Sequence, residues 1–99
     1  MQMRRLVFTA SARKGLKNLP HDLNQEALLL LRLLASVPAE IRRPAKDEDI
    51  SAYDLPSTSR ILTKKLPKGR MVFVYFNCKN DSEISVYQIE SGQDPDGKD

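Results

Sequence analysis

The chain reads as an α+β protein in which two helices pack on an antiparallel sheet of about four strands, in the order β-α-α-β-β-β. Three observations predict this. A leucine-rich stretch over 22–37 repeats its apolar residues at helical spacing. Three strand-like segments follow residue 59 and are joined by short turns, which suits an antiparallel meander. A short strand-like segment, Arg5-Leu6-Val7-Phe8, comes before the helices.

The elements follow in order. After the first strand, Thr9 and Ser11 are both good helix N-caps, because their hydroxyls can accept from free backbone N–H groups. Ala12, Leu16 and Leu19 then fall on one helical face, with Arg13, Lys14 and Lys17 on the other, and Pro20 closes the helix or starts the next. In the second helix Leu23, Ala27, Leu30, Leu34 and Val37 mark one face, while Leu28, Leu29, Leu31 and Leu33 widen it beyond a single stripe. A surface that wide must be covered on two sides. The sheet covers one; the first helix or a partner chain covers the other. Pro38 stops this helix.

Residues 38–58 are rich in Pro, Asp, Glu and Ser and form a long loop, with one helical turn near 47–52. Loops of this length in compact domains are usually functional or partly disordered. Residues 60–66 alternate as a strand, Pro67-Lys68-Gly69 supplies a turn, and 71–78 is so apolar that it fits a central strand buried on both faces. Asn80-Asp81-Ser82 is a second turn, 84–89 alternates again, and 91–99 is a polar tail expected to fray. The domain is therefore expected over 1–90.

With 99 residues, 40% hydrophobic and 29% charged, the chain suits one small globular domain. The apolar run 27–31 is far too short to cross a bilayer, and the N-terminal residues lack a signal-peptide core. The expected location is the cytoplasm, with no membrane partner. One cysteine, Cys78, permits no internal disulfide, and with one histidine, His21, it makes no zinc site. No Gly-rich phosphate loop or metal-ligand spacing is present, so no cofactor is expected.

Charge is segregated. The formal net charge is +3, but residues 1–20 carry five bases and no acid, and residues 59–79 carry six bases and no acid. Such a field suits a polyanion; solvated lysines protecting a strand edge are the equal alternative.

Several ordered pieces resemble the RelE/ParE superfamily of bacterial toxins. Leu6-Val7-Phe8-Thr9-Ala10-Ser11-Ala12 is similar to the family's opening strand and small-residue helix start. Leu16-Lys17-Asn18-Leu19-Pro20 resembles its helix junction, and the segment 62–66 followed by Gly69-Arg70-Met71-Val72-Phe73-Val74-Tyr75 resembles its hairpin. Residues 84–89 look like its last strand, so the likeness spans about 4–90.

The resemblance implies the toxin of a type II toxin–antitoxin module, held inactive by a cognate antitoxin protein. It implies either an endonuclease that cleaves mRNA in the ribosome or an inhibitor of DNA gyrase. The ribonuclease members usually carry a basic residue or histidine just after the last strand; here Glu90-Ser91-Gly92-Gln93 stands in that place, a departure that favours a non-enzymatic role, as a gyrase inhibitor or as a catalytically lapsed member acting by partner binding.

For cleavage, Arg70 matches the family's strand arginine, and its planar fork suits a phosphate. Lys64 and Lys65 are the other candidate catalytic residues. They lie on opposite faces of one strand, so only one can share the face of Arg70. Arg60 and Lys68, in the same acid-free window, are the expected RNA-backbone contacts. Tyr75 and Tyr87 read as packed in the sheet, and Tyr53, in the long loop, is the freer ring for stacking on a base.

Overall fold

The structure is a computed structural model that describes residues 3–36 and 42–93. Val37, the Pro38 stop and tail residues 94–99 lie outside them. The order is β1 (Arg5–Phe8), α1 (Ala10–Asn18), α2 (His21–Ser36), β2 (Arg43–Pro44), α3 (Asp47–Ala52), β3 (Arg60–Lys65), β4 (Arg70–Cys78) and β5 (Glu83–Gln93). The α+β class is as expected. The sheet is not: among the described residues it has five strands in the order β1-β5-β4-β3-β2, and it is mixed, because β1 runs parallel to β5.

Both differences have physical reasons. Strand β2 is two residues long and contains Pro44, so it carries no apolar alternation from which to read it. Its pairing with β3, Arg43 opposite Ile61 and Pro44 opposite Arg60, makes a short edge with one donor missing, a form that resists further strand addition. Parallel pairing of β1 with β5 joins the first strand to the last, a contact that no local pattern encodes. It sets Arg5 opposite Glu83, and their side chains form an ion pair at 2.6 Å.

Thr9, rather than Ser11, caps α1. Its hydroxyl accepts from the Ala12 N–H at 3.1 Å and donates to the Tyr87 carbonyl at 2.8 Å. Tyr87 is the extra residue of a β-bulge, since Tyr75 pairs with Gln88 and Phe76 with Val86. The cap of α1 is thereby fastened to the irregular point of β5. Strand β1 reaches only as far as Val86 along β5, and beyond it α1 lies against β5 directly. Gly15 permits this approach: a Cβ there would stand 2.1 Å from the Ile89 carbonyl oxygen.

Helices α1 and α2 cover one face of the sheet. The core there joins Ala12, Leu23, Ala27, Leu30, Leu31 and Leu34 to Leu62, Val72, Val74, Phe76, Ile84, Val86 and Ile89. Helix α2 buries one side only, and Leu28, Leu29 and Leu33 remain 41%, 54% and 42% exposed. No helix among the described residues is long and apolar enough to cross a membrane.

Strand β4 is covered on both faces, as its unbroken apolar run predicts. On the face away from α1 and α2, the segment carrying β2 and α3 folds back, and Ala45 and Leu55 bury Tyr75. Strand β5 also runs three residues past Glu90, through the first part of the expected tail. Ser91, Gly92 and Gln93 pair with Val72, Met71 and Arg70 of the long central strand, and this ladder prevails over their polar composition.

Candidate nucleic-acid interface

The register sorts the basic residues of the hairpin onto two faces. Lys64 pairs with Val72, and Lys65 with Met71. Val72 belongs to the core under the helices, so Lys64 points toward α2, where its ammonium lies 3.4 Å from Glu26. Arg70 shares that side, and its Nη1 donates to Asp22 at 2.8 Å. Asp22 and Glu26 stand one turn apart on α2 and pair with these two cations of the hairpin, Arg70 and Lys64. The Asp22 carboxyl is held below the usual range, first by the hydrogen bond from Arg70 and then by the Leu23 backbone N–H. Both pairs are partly exposed and therefore partly screened. Lys64, not Lys65, thus shares the face of Arg70.

Lys65 lies on the open face. There the strands bring cross-sheet rows together: Lys65, Met71 and Gly92; then Thr63, Phe73 and Glu90; then Ile61, Tyr75 and Gln88. Over these rows and under the α3 segment lies a cavity of about 740 Å³. Arg43, Lys46 and Lys65 supply its cations, Tyr53, Phe73 and Tyr75 its rings, and Glu48 and Asp49 its carboxylates. Gly92 shapes the floor, since a Cβ there would come within 2.9 Å of the Phe73 ring.

The α3 segment is fastened by reciprocal bonds. Tyr53, at the C-cap of α3, donates its hydroxyl to Glu90 of the sheet. Tyr75 of the sheet donates to Asp49 of α3 at 3.0 Å. The two rings pack with centroids 5.4 Å apart. Tyr75 is packed in the sheet, as its position in β4 suggests; Tyr53 is docked and not free.

The remaining expected contacts lie elsewhere. Arg60 donates to the Arg42 carbonyl at 2.6 Å and helps fix the returning segment. Lys68 sits in the Pro67–Gly69 turn with φ of 68°, beside Gly69 at 71°. Left-handed backbone is easy for glycine and unfavourable for lysine, so the turn holds Lys68 in a strained and solvent-facing position. Arg43 and Lys46, isolated cations in a segment read as loop, carried no signal in the sequence. Nor did Glu90 as a partner of Tyr53.

Hydrogen bonding to Glu90, then burial, pushes the Tyr53 phenol up to about 12. Burial first, then the bond to Asp49, pushes the Tyr75 phenol up as well. Both folded-state values exceed the unfolded value of about 10. Their contribution to stability is therefore complete below about pH 10 and is lost as pH rises through the folded values. In a spectrophotometric titration of the folded protein, two tyrosinates are expected to appear only well above the ordinary value. Tyr53→Phe should remove one of them and lessen the alkaline loss of stability. Ordinary titration of both phenols in the folded protein would show that the fastening is absent.

No family model, curated protein or solved structure matches this chain.

Proposed function

We propose that this protein is the toxin of a type II toxin–antitoxin module that works in the cytoplasm as an mRNA endonuclease at the ribosome, and that RNA binds on the open face of the sheet. The observation that carries this reading is the cavity lined by Arg43, Lys46 and Lys65 together with Tyr53, Phe73 and Tyr75. Cations that can follow a backbone stand there beside the half-buried ring of Phe73, on which a base can stack, with Tyr53 and the buried Tyr75 forming the wall behind it. The β-α-α-β-β-β order read from the sequence, to which the structure adds β2 and α3, prompts the same reading.

Chemically, the 2′-hydroxyl of a ribose attacks the adjacent phosphorus, and charge grows on the phosphate oxygens. Preorganised cations at those oxygens lower the barrier. Lys65, on the cavity side of β3, is the residue best placed for this task. Arg70 stands at the end of the sheet, its exposed Nη1 bonded to Asp22, and serves as a rim contact that RNA can share with that carboxylate. The cognate antitoxin would cover the exposed leucines of α2, an apolar stripe a soluble partner can bury.

The test is induced expression, followed by measurement of protein synthesis, message integrity and DNA supercoiling. Early cleavage of translated messages, with ends bearing a 2′,3′-cyclic phosphate, is the expected result. Intact messages with an early failure of supercoiling would instead favour a gyrase-directed binder, the reading supported by the acidic Glu90 in the family's basic position.

A further inference from the structure

We propose that Glu90 is the proton acceptor for the RNA 2′-hydroxyl, an assignment that rests on the ribonuclease reading above. It follows from where Glu90 stands. A second depression, about 380 Å³, lies between α1 and the last part of β5, and Ser11, Lys14, Asn18 and Gln88 present polar groups to it. Ser91 lines both this groove and the open-face cavity, and Glu90, the preceding residue, lines the groove while its carboxylate meets Tyr53 of the cavity. Glu90 thus sits on the β5 wall between the groove lined by Lys14 and the cavity lined by Lys65.

The carboxylate is held for this task. Tyr53 donates to Oε2, and Gln88 Nε2 approaches Oε1 at 3.4 Å. A carboxylate has about four acceptor positions, so capacity for a hydroxyl proton remains. Asp49, which accepts from Tyr75, lies on the α3 side and does not line the groove. Tyr53 is a positioning residue: its ring packs on Tyr75, and its hydroxyl fixes one oxygen of Glu90.

In the step, Glu90 takes the 2′-hydroxyl proton and the 2′-oxygen bonds to phosphorus. The bond from phosphorus to the 5′-oxygen breaks, and that oxygen takes a proton from water. The products are a 2′,3′-cyclic phosphate and a 5′-hydroxyl end, and Glu90 returns its proton to solvent. A positioned base of this kind contributes about 10²–10⁴-fold.

The test uses the full chain on ribosomes programmed with a defined message, with binding measured separately by fluorescence anisotropy on an RNA carrying 2′-deoxyribose at the cleavage position. Glu90→Gln should cut the cleavage rate about 10²–10⁴-fold and keep binding near the wild-type value. Glu90→Ala should regain rate when formate is added, and the wild type should not respond to it. Tyr53→Phe should slow cleavage less. Cleavage by Glu90→Gln at the wild-type rate, or the absence of formate rescue in a folded Glu90→Ala, would overturn the assignment while leaving the ribonuclease reading standing. A wild type that cleaves no message on the ribosome would overturn that reading itself, and this assignment with it.

Discussion

Replacing Lys65 with alanine is expected to lower message cleavage by about 10²–10³-fold, the usual loss when one preorganised donor to a developing negative charge is removed. Lys64→Ala, one residue away, should leave cleavage within a few-fold of wild type. The contrast comes from strand alternation. Lys65 shares a row with Met71 and Gly92 on the open face, whereas Lys64 points to Glu26 on the helix side. Arg70→Ala should fall between them, because that guanidinium stands at the end of the sheet, on the helix side. Circular dichroism on each variant separates lost chemistry from lost fold. Growth arrest on induction gives the same ranking in cells. Equal losses from Lys64→Ala and Lys65→Ala would show that the two faces are not functionally distinct.

Phe76→Ala should destabilise the protein by about 3–5 kcal/mol, the range for a fully buried phenylalanine. Phe76 is 0% exposed and lies in the core between the helices and the sheet. In a domain of this size a loss of 1 kcal/mol lowers Tm by about 4–8 °C, so the variant should melt far below wild type or fail to fold. Phe73→Ala is the natural comparison. Phe73 is half-buried on the open face and sits against Gly92, so its removal should cost less stability and more RNA affinity. Urea denaturation read by circular dichroism measures both. A Phe76→Ala protein as stable as the Phe73→Ala protein would contradict the division of the sheet into a structural face and a binding face.

That division was only half legible in the sequence. Helical spacing placed α1 and α2, and strand alternation with its turns placed β3, β4 and β5, because each of those patterns is local. The turn of helix near residue 50 was legible as α3 for the same reason. The parallel pairing of β1 with β5 was not, since it depends on chain ends meeting across the fold. Strand β2 carries too few residues, one of them proline, to leave a pattern. The extension of β5 to Gln93 was hidden by polar residues that only the ladder with β4 holds extended.

The site was legible to a smaller degree. Alternation separated Lys64 from Lys65 but could not say which faced the helices. The cavity depends on the α3 segment folding over the sheet, and its fastening by Tyr53 with Glu90 and Tyr75 with Asp49 joins residues 37 and 26 positions apart. No spacing rule anticipates such pairs. Arg43 and Lys46 gain their meaning only from that return of the chain.

The most direct test of an RNA-binding open face is a nuclear magnetic resonance titration of the labelled protein with a single-stranded RNA carrying 2′-deoxyribose throughout its central positions to prevent cleavage. The backbone amides of Thr63, Lys65, Met71, Phe73 and Tyr75, with those of Lys46 and Tyr53, are expected to shift together and to lose the shifts as salt is raised. Shifts confined to the outer side of α2, around Leu28, Leu29 and Leu33, with the open face unchanged, would contradict it.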